Sequence, residues 1–278
     1  MNYRHAFHAG NFADVAKHAI LLAVLAAMKP QQVLDTHAGA GLYDLGGEDA
    51  RRTGEAEAGV ARLMADPDAP PVFASLKAAV VKANLPDASK GGVRWYPGSP
   101  RLIIDALPPG AGYAGFELHP DAHAQLLQAL RSPAKGVRVE ALCADGYAEA
   151  ATRLAQTRGR TLLLVDPPFE RADDYERTLA LTTALAGAPD AGALIWLPLK
   201  DLETFDAFLS RLEDQAPASL VAAQVRMKPL DDPMRMNGCA LVAVNLPDID
   251  AQAEIVCGWT AEKLGGPGAL GRVERLAG

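Results

Sequence analysis

Residues 161–169 read Thr161-Leu162-Leu163-Leu164-Val165-Asp166-Pro167-Pro168-Phe169. An apolar run with no alternation is the pattern of a strand covered on both faces, as in a parallel sheet. It ends abruptly in a carboxylate, two prolines and an aromatic ring. Each proline fixes φ and removes a donor, so the turn is stiff and its carbonyls are left as acceptors. A carboxylate and a carbonyl held side by side can accept both hydrogens of a planar amine. That draws the nitrogen lone pair out of conjugation and aims it at an electrophile, while Phe169 can stack on the ring that carries the amine. Taken alone, the same four residues could be only a stiff loop.

Outward from this strand the chain alternates. Tyr113 to Glu117 and Val137 to Leu142 read as strands, each followed by a helix, at Pro120 to Leu130 and at Tyr147 to Gln156. After Val165 come a helix near Asp174 to Ala186, a strand from Ala193 to Leu199 and a helix near Leu202 to Leu212. A βαβ series of this kind predicts a mostly parallel sheet with helices on both faces. Leu220 to Met227 and Cys239 to Leu246 read as two strands able to pair as an antiparallel C-terminal edge. Near the start, Asn11 to Met28 is helical up to Lys29-Pro30, and Val33-Leu34-Asp35 is a strand. Between Gly47 and Arg94 alternation lapses into two predicted helices, Arg52 to Met64 and Val72 to Asn84. The expectation is one α/β domain, 1–278, carrying an inserted helical subdomain at 47–94.

Ligands of open α/β sheets bind beyond the carboxyl ends of the strands. Four such ends stand out. Asp35-Thr36-His37-Ala38-Gly39-Ala40-Gly41 is a glycine-bearing turn that lets backbone approach a ligand closely. It lacks the full dinucleotide fingerprint and is a poor NAD site. Glu117 can accept from ribose hydroxyls or be a solvated loop carboxylate. Asp145 can accept from an adenine amine or serve as a helix N-cap. Asp166 is the fourth.

This ordered set resembles the class I S-adenosylmethionine-dependent methyltransferases, and residues 166–169 match their Asp/Asn-Pro-Pro-aromatic signature for amine methylation. The resemblance implies a Rossmann-like sheet. It also implies that the turn containing Gly39 and Gly41 receives the methionine part of the cofactor, Glu117 its ribose and Asp145 its adenine. Further motifs are Tyr3-Arg4-His5-Ala6-Phe7-His8-Ala9-Gly10-Asn11, Ala13-Asp14-Val15, Lys17-His18, Arg52-Thr53-Gly54-Glu55, Tyr96-Pro97-Gly98-Ser99-Pro100 and Glu117-Leu118-His119-Pro120. With them the chain is similar over nearly its full length to the ribosomal RNA large subunit methyltransferase J family.

That closer resemblance implies methylation of one adenine N6 of 23S ribosomal RNA, with the RNA protein-free or in an early assembly state. Residue by residue, His18, His37, Ser99, Glu117, Asp145, Gly146 and Asp166 would contact the cofactor. Asp166, with Pro167 and Phe169 beside it, would be the catalytic acceptor, and Tyr3 would lie near the base. The chain departs from the family at Phe169, where tyrosine is usual: the stacking face is kept and the hydroxyl is lost.

Composition sets limits on other readings. The 278 residues carry a net charge of -7, which argues against indiscriminate coating of nucleic acid. Arg51 and Arg52, then Lys77, Lys82, Lys90 and Arg94, then Arg226, Lys228 and Arg235 are candidates for a local basic surface, or simply for a solvated face. Cys143, Cys239 and Cys257 form no CxxC pair, which fits a reducing cytoplasm. Ala19 to Met28 is too short for a membrane span, which takes roughly 20 apolar residues, and reads as an amphipathic or buried helix. His5, His8, Asp14, His18 and His37 invite a metal site, but no recognised zinc spacing accompanies them, and no metal is expected. Amine methylation on DNA or on a protein glutamine, and a non-catalytic cofactor-binding protein, remain the rivals.

Overall fold

A computed structural model describes residues 8–47, 52–85, 92–131, 136–230 and 236–278. Its centre is an eight-stranded sheet. β1 (Gln32–Asp35), β4 (Gly112–Phe116), β5 (Arg138–Leu142), β6 (Thr161–Val165) and β7 (Ala191–Leu199) are parallel, in the order β5-β4-β1-β6-β7. β9 (Gly238–Val244) pairs antiparallel with β7 and with β8 (Leu220–Arg226), and β10 (Leu270–Ala277) adds antiparallel to β8 at the edge. This is the Rossmann-like, mostly parallel sheet that the resemblance implies, with the antiparallel C-terminal edge read from the sequence. β4 and β6 are buried along their whole length, as unbroken apolar strands require.

Helices cover both faces. One core joins α1 (Phe12–Met28), α4 (Ala74–Asn84), α5 (Ser99–Ala106) and α10 (Asp250–Leu264) to one side of the sheet. The other joins α7 (Gly146–Leu154), α8 (Asp174–Thr183) and α9 (Leu202–Glu213) to the opposite side. α1 is buried almost all round, including Ala19, Leu21, Leu22 and Leu25, which settles the segment at 19–28 as a buried helix. Asn11 caps its start by accepting from Asp14 N, and Lys29 closes it in the left-handed region at φ 48°. Among the described residues no helix is long and apolar enough to cross a membrane.

The 47–94 stretch leaves and rejoins the sheet layer through a two-stranded antiparallel ribbon, β2 (Leu42–Asp44) with β3 (Trp95–Pro97), a pairing the sequence did not announce. The single helix expected from Arg52 to Met64 is broken into α2 (Glu55–Ala58) and α3 (Val60–Ala65). The reason is a close approach at Gly59, where a Cβ would collide with the backbone of Gly10 and Asn11. Val60 N then donates to Gly10 O at 2.8 Å. The second helix expected there begins as a 3-10 turn at Pro71–Phe73 and continues as α4. Val60, Leu63, Phe73, Leu76 and Val80 join the core formed by α1.

The order reverses at β1, which has β4 on one side and β6 on the other. That switch point opens a crevice at the carboxyl ends of the strands, where Asp35, Glu117, Asp145 and Asp166 all lie.

Candidate functional site

A cavity of about 600 Å³ occupies the crevice. Its wall includes His18, His37, Gly39, Ser99, Glu117, Asp145, Gly146, Asp166 and Pro167, nine of the expected site residues, drawn from distant stretches of chain. Gly41 is not on the wall. It sits at φ 75°, its O accepts from Gly98 N at 3.0 Å, and a Cβ there would press on Leu126 and Ala129 of α6 (Pro120–Ala129), so it is a packing glycine beside the turn. Tyr3 lies outside the described residues, as do Arg51, Lys90 and Arg235.

At one part of the wall, Glu117 follows directly on the end of β4 and is anchored by backbone. It accepts from Gly39 N at 2.9 Å and from His119 N at 2.7 Å. Gly39 has φ 61°, and a Cβ would strike the Tyr43 hydroxyl. Asp145 is the N-cap of α7, accepting from Tyr147 N and Ala148 N, one of the two roles open from its sequence position, and it also lines the cavity. Arg177 grips both Asp145 oxygens at 2.7 Å, with its guanidinium 4.3 Å from the Tyr147 ring centroid. Burial pushes the Asp145 carboxyl up, but the bonds from Arg177 and the helix amides outweigh it and hold it below the ordinary range. His37 bonds Thr36 Oγ1 at 2.7 Å and meets Tyr147 edge-on; burial, reinforced by Arg177, lowers its pKa to about 4, so its ring is neutral at pH 7. Gly146 lies so close to the Thr36 carbonyl that no Cβ fits.

At another part of the wall stands Asp166. Lys17 Nζ is 2.7 Å from Asp166 Oδ2 and 2.9 Å from Asp14 Oδ1, with side-chain exposures of 5%, 14% and 3% for Lys17, Asp166 and Asp14. Burial alone would depress the lysine, but the two carboxylates raise its pKa well above the usual value, so it is a fixed cation. The sequence assigns no separate role to Lys17; the available signal is an Asp14-x-x-Lys17 pair set into an otherwise apolar helix. His18, next in the chain, bonds the Tyr96 hydroxyl at 2.7 Å and stacks on its ring. Ser99 and Tyr113 both donate to Asp35 Oδ2, at 3.2 and 3.1 Å. Burial, and then the nearby Asp166 charge, raise Asp35 to about 7.

Phe169 departs from expectation. Its backbone is left-handed at φ 50°, a costly conformation for a non-glycine residue that tends to persist at functional sites. Its ring is buried against Tyr175 and Trp196, with centroids 4.6 and 6.2 Å away, and does not line the cavity. The aromatic ring on the wall beside Asp166 is Trp196, which no sequence motif singles out. Val165 pairs with Ile195 in the sheet register, so the next residues, Asp166 and Trp196, emerge side by side.

Four of the basic residues considered for a local basic surface engage neighbours. Lys77 donates to Asp66 O, Lys82 pairs with Asp105, Arg94 with Asp44, and Arg226 donates to Gln224. Of the residues considered for a metal, His8 bonds Glu55, Asp14 pairs with Lys17, His18 bonds Tyr96 and His37 bonds Thr36. His5 is outside the described residues, among which no group of three or more His, Cys, Asp or Glu is placed to hold a metal ion.

The chain is similar to known proteins over nearly all its length. It is 32% identical over 273 residues to "Ribosomal RNA large subunit methyltransferase J" of Escherichia coli (strain K12), covering 95% of this chain and 94% of that protein. It is 30% identical over 254 residues to the protein of the same name from Haemophilus influenzae, covering 89% and 88%. A crystal structure of protein LPL1258 from Legionella pneumophila str. Philadelphia 1 superposes with a TM-score of 0.85 at 26% identity, covering 96% of this chain and 98% of that one. The family model described as "Ribosomal RNA large subunit methyltransferase D, RlmJ" matches residues 28–275, and the chain belongs to that family.

Proposed function

We propose that this protein transfers a methyl group from S-adenosylmethionine to the exocyclic N6 amine of an adenine in 23S ribosomal RNA. The observation that carries the reading is Asp166, followed by Pro167-Pro168, in one cavity with Glu117, Asp145 and the Gly39 turn. Family membership and the names of the two relatives support ribosomal RNA as the polymer. The one-domain reading of 1–278 with a helical insertion at 47–94 belongs to the same proposal, supported by the β2–β3 ribbon that brackets the stretch.

The donor set fits the cofactor. Glu117, fixed by two backbone amides, offers oxygens to a ribose diol, and Asp145, its Oδ1 filled by Arg177 and two helix amides, offers Oδ2 to an adenine amine. His37 adds a neutral ring to the same wall, Gly146 gives the backbone room to pass, and His18 and Ser99 complete the lining. Bound there, S-adenosylmethionine supplies a methyl group already activated by its sulfonium. The chain's own task is therefore positioning and desolvation.

Asp166 accepts a hydrogen bond from the target amine, and the turn stiffened by Pro167 and Pro168 holds that acceptor still. Lys17, itself buried, compensates the Asp166 charge at the cavity wall. Trp196 offers an aromatic face to an unstacked base, as base-modifying enzymes require when they extrude their target. Phe169 supports Trp196 from behind. The RNA is read as protein-free or in an early assembly state, and the free buried thiols of Cys239 and Cys257 suit a cytoplasmic setting.

The test is transfer of labelled methyl to protein-free large-subunit RNA, duplex DNA and protein extract, by wild type and Asp166→Ala. Label recovered as N6-methyladenosine in RNA, and lost in the variant while cofactor binding persists, is the expected result. Label only in DNA or protein overturns the polymer, and no label anywhere leaves a cofactor-binding protein.

A further inference from the structure

The acceptor carboxylate is tied to the 47–94 stretch by a continuous polar chain. Glu55, the first residue of α2, accepts from Asn11 Nδ2 at 2.9 Å and bonds His8 Nδ1 at 2.9 Å. Asn11 spends its side-chain oxygen on Asp14 N at 3.0 Å, the N-cap bond of α1. Asp14 accepts from Gly10 N at 2.9 Å through Oδ2 and holds Lys17 through Oδ1 at 2.9 Å, and Lys17 reaches Asp166 at 2.7 Å. Asp14 and Lys17 are 2% and 4% exposed, so solvent screens little of what passes between them. The missing Cβ of Gly59 lets α2 and α3 press directly onto the Gly10–Asn11 backbone.

We propose that Glu55 is a positioning residue for Asp166: by orienting Asn11 it fixes the entry of α1, and with it the Asp14–Lys17 pair that sets where the acceptor carboxylate stands. Glu55 itself touches neither substrate nor cofactor, and it gives the 47–94 stretch a part in the chemistry. The inference rests on the methyl transfer proposed above.

The experiment measures steady-state transfer to whichever polymer wild type labels, with wild type, Glu55→Ala, Glu55→Gln, Asn11→Ser and the double variant Glu55→Ala/Asn11→Ser. Serine still caps α1 but is too short to reach Glu55, and glutamine keeps an oxygen for Asn11. Both variants therefore preserve the fold if alanine at 55 does not. Expected are a fall in kcat of about tenfold for Glu55→Ala and Asn11→Ser, KM for RNA and cofactor affinity within about twofold, recovery of most of kcat in Glu55→Gln, and a double variant no worse than either single. Wild-type kcat in Glu55→Ala and Asn11→Ser, or losses that multiply in the double variant, overturns the positioning role and leaves the enzymatic reading intact. A wild-type protein that labels nothing overturns that reading and this role with it.

Discussion

Lys17 and Asp166 are 149 positions apart in the chain and meet at 2.7 Å, the lysine 5% and the aspartate 14% exposed, with Asp14 on the lysine's other side. One cation thus serves two carboxylates at the point where α1 passes the end of β6. Removing one member of a buried ion pair leaves an uncompensated charge and costs roughly 3–5 kcal/mol. Lys17→Met should therefore lose stability on that scale in denaturant unfolding and lose methyl transfer by more than about a hundredfold. Wild-type turnover in a folded Lys17→Met protein would remove the lysine from the acceptor site.

Asp35 gives the site a pH signature. Its pKa of about 7 in the folded protein lies above the ordinary aspartate value of 3.8, so between those values the folded protein keeps a proton that the unfolded chain has lost. Stability from this group falls as pH rises from about 4 to 7, at about 1.4 kcal/mol per pH unit, and is level beyond. Asp35→Asn should then be more stable than wild type at pH 8 and gain nothing at pH 4. Equal gains at both pH values, read from urea midpoints, would show that Asp35 is ionised throughout.

Gly146 opens α7 with no space for a side chain, since a Cβ would overlap the Thr36 carbonyl. Gly146→Ala must push β1 and α7 apart at the cavity wall, an overpacking cost of about 1–3 kcal/mol. A lower melting temperature and cofactor affinity weakened about tenfold are expected, by thermal unfolding and calorimetry. Unchanged affinity would mean that the wall tolerates the displacement.

Trp196 and Phe169 divide the aromatic roles, one on the cavity wall and one behind it. Stacking of a base on an aromatic ring is worth about 1–3 kcal/mol. Trp196→Leu should cut kcat/KM for RNA by roughly ten- to a hundredfold with cofactor affinity unchanged. Phe169→Leu should lower stability more than it lowers kcat/KM. The reverse ranking would restore Phe169 as the stacking residue.

The residues themselves determined much of this protein. Apolar strands without alternation dictated a parallel sheet, and the glycine turn, Glu117, Asp145 and Asp166 at successive strand ends dictated where its crevice would be furnished. Those features are local: a strand, its end and its turn are written in consecutive residues. Only the tertiary structure decided that Lys17 belongs to the acceptor site, that Gly59 breaks a helix against Gly10, and that Trp196 rather than Phe169 faces the cavity. The C-terminal helix α10 and strand β10 are not legible in the sequence either. α10 packs on α1 through a face carrying Ala253, Val256, Cys257, Thr260, Ala261 and Leu264, but Ala251 and Ile255 on its exposed face and the polar Thr260 on its buried one blur the apolar stripe, and β10 is a half-exposed edge. Each of these depends on which distant surfaces come together. A charge inside an apolar helix, a glycine within helical spacing or a tryptophan in a strand has the same sequence pattern whatever lies opposite it, and what lies opposite is fixed by the packing of the whole chain.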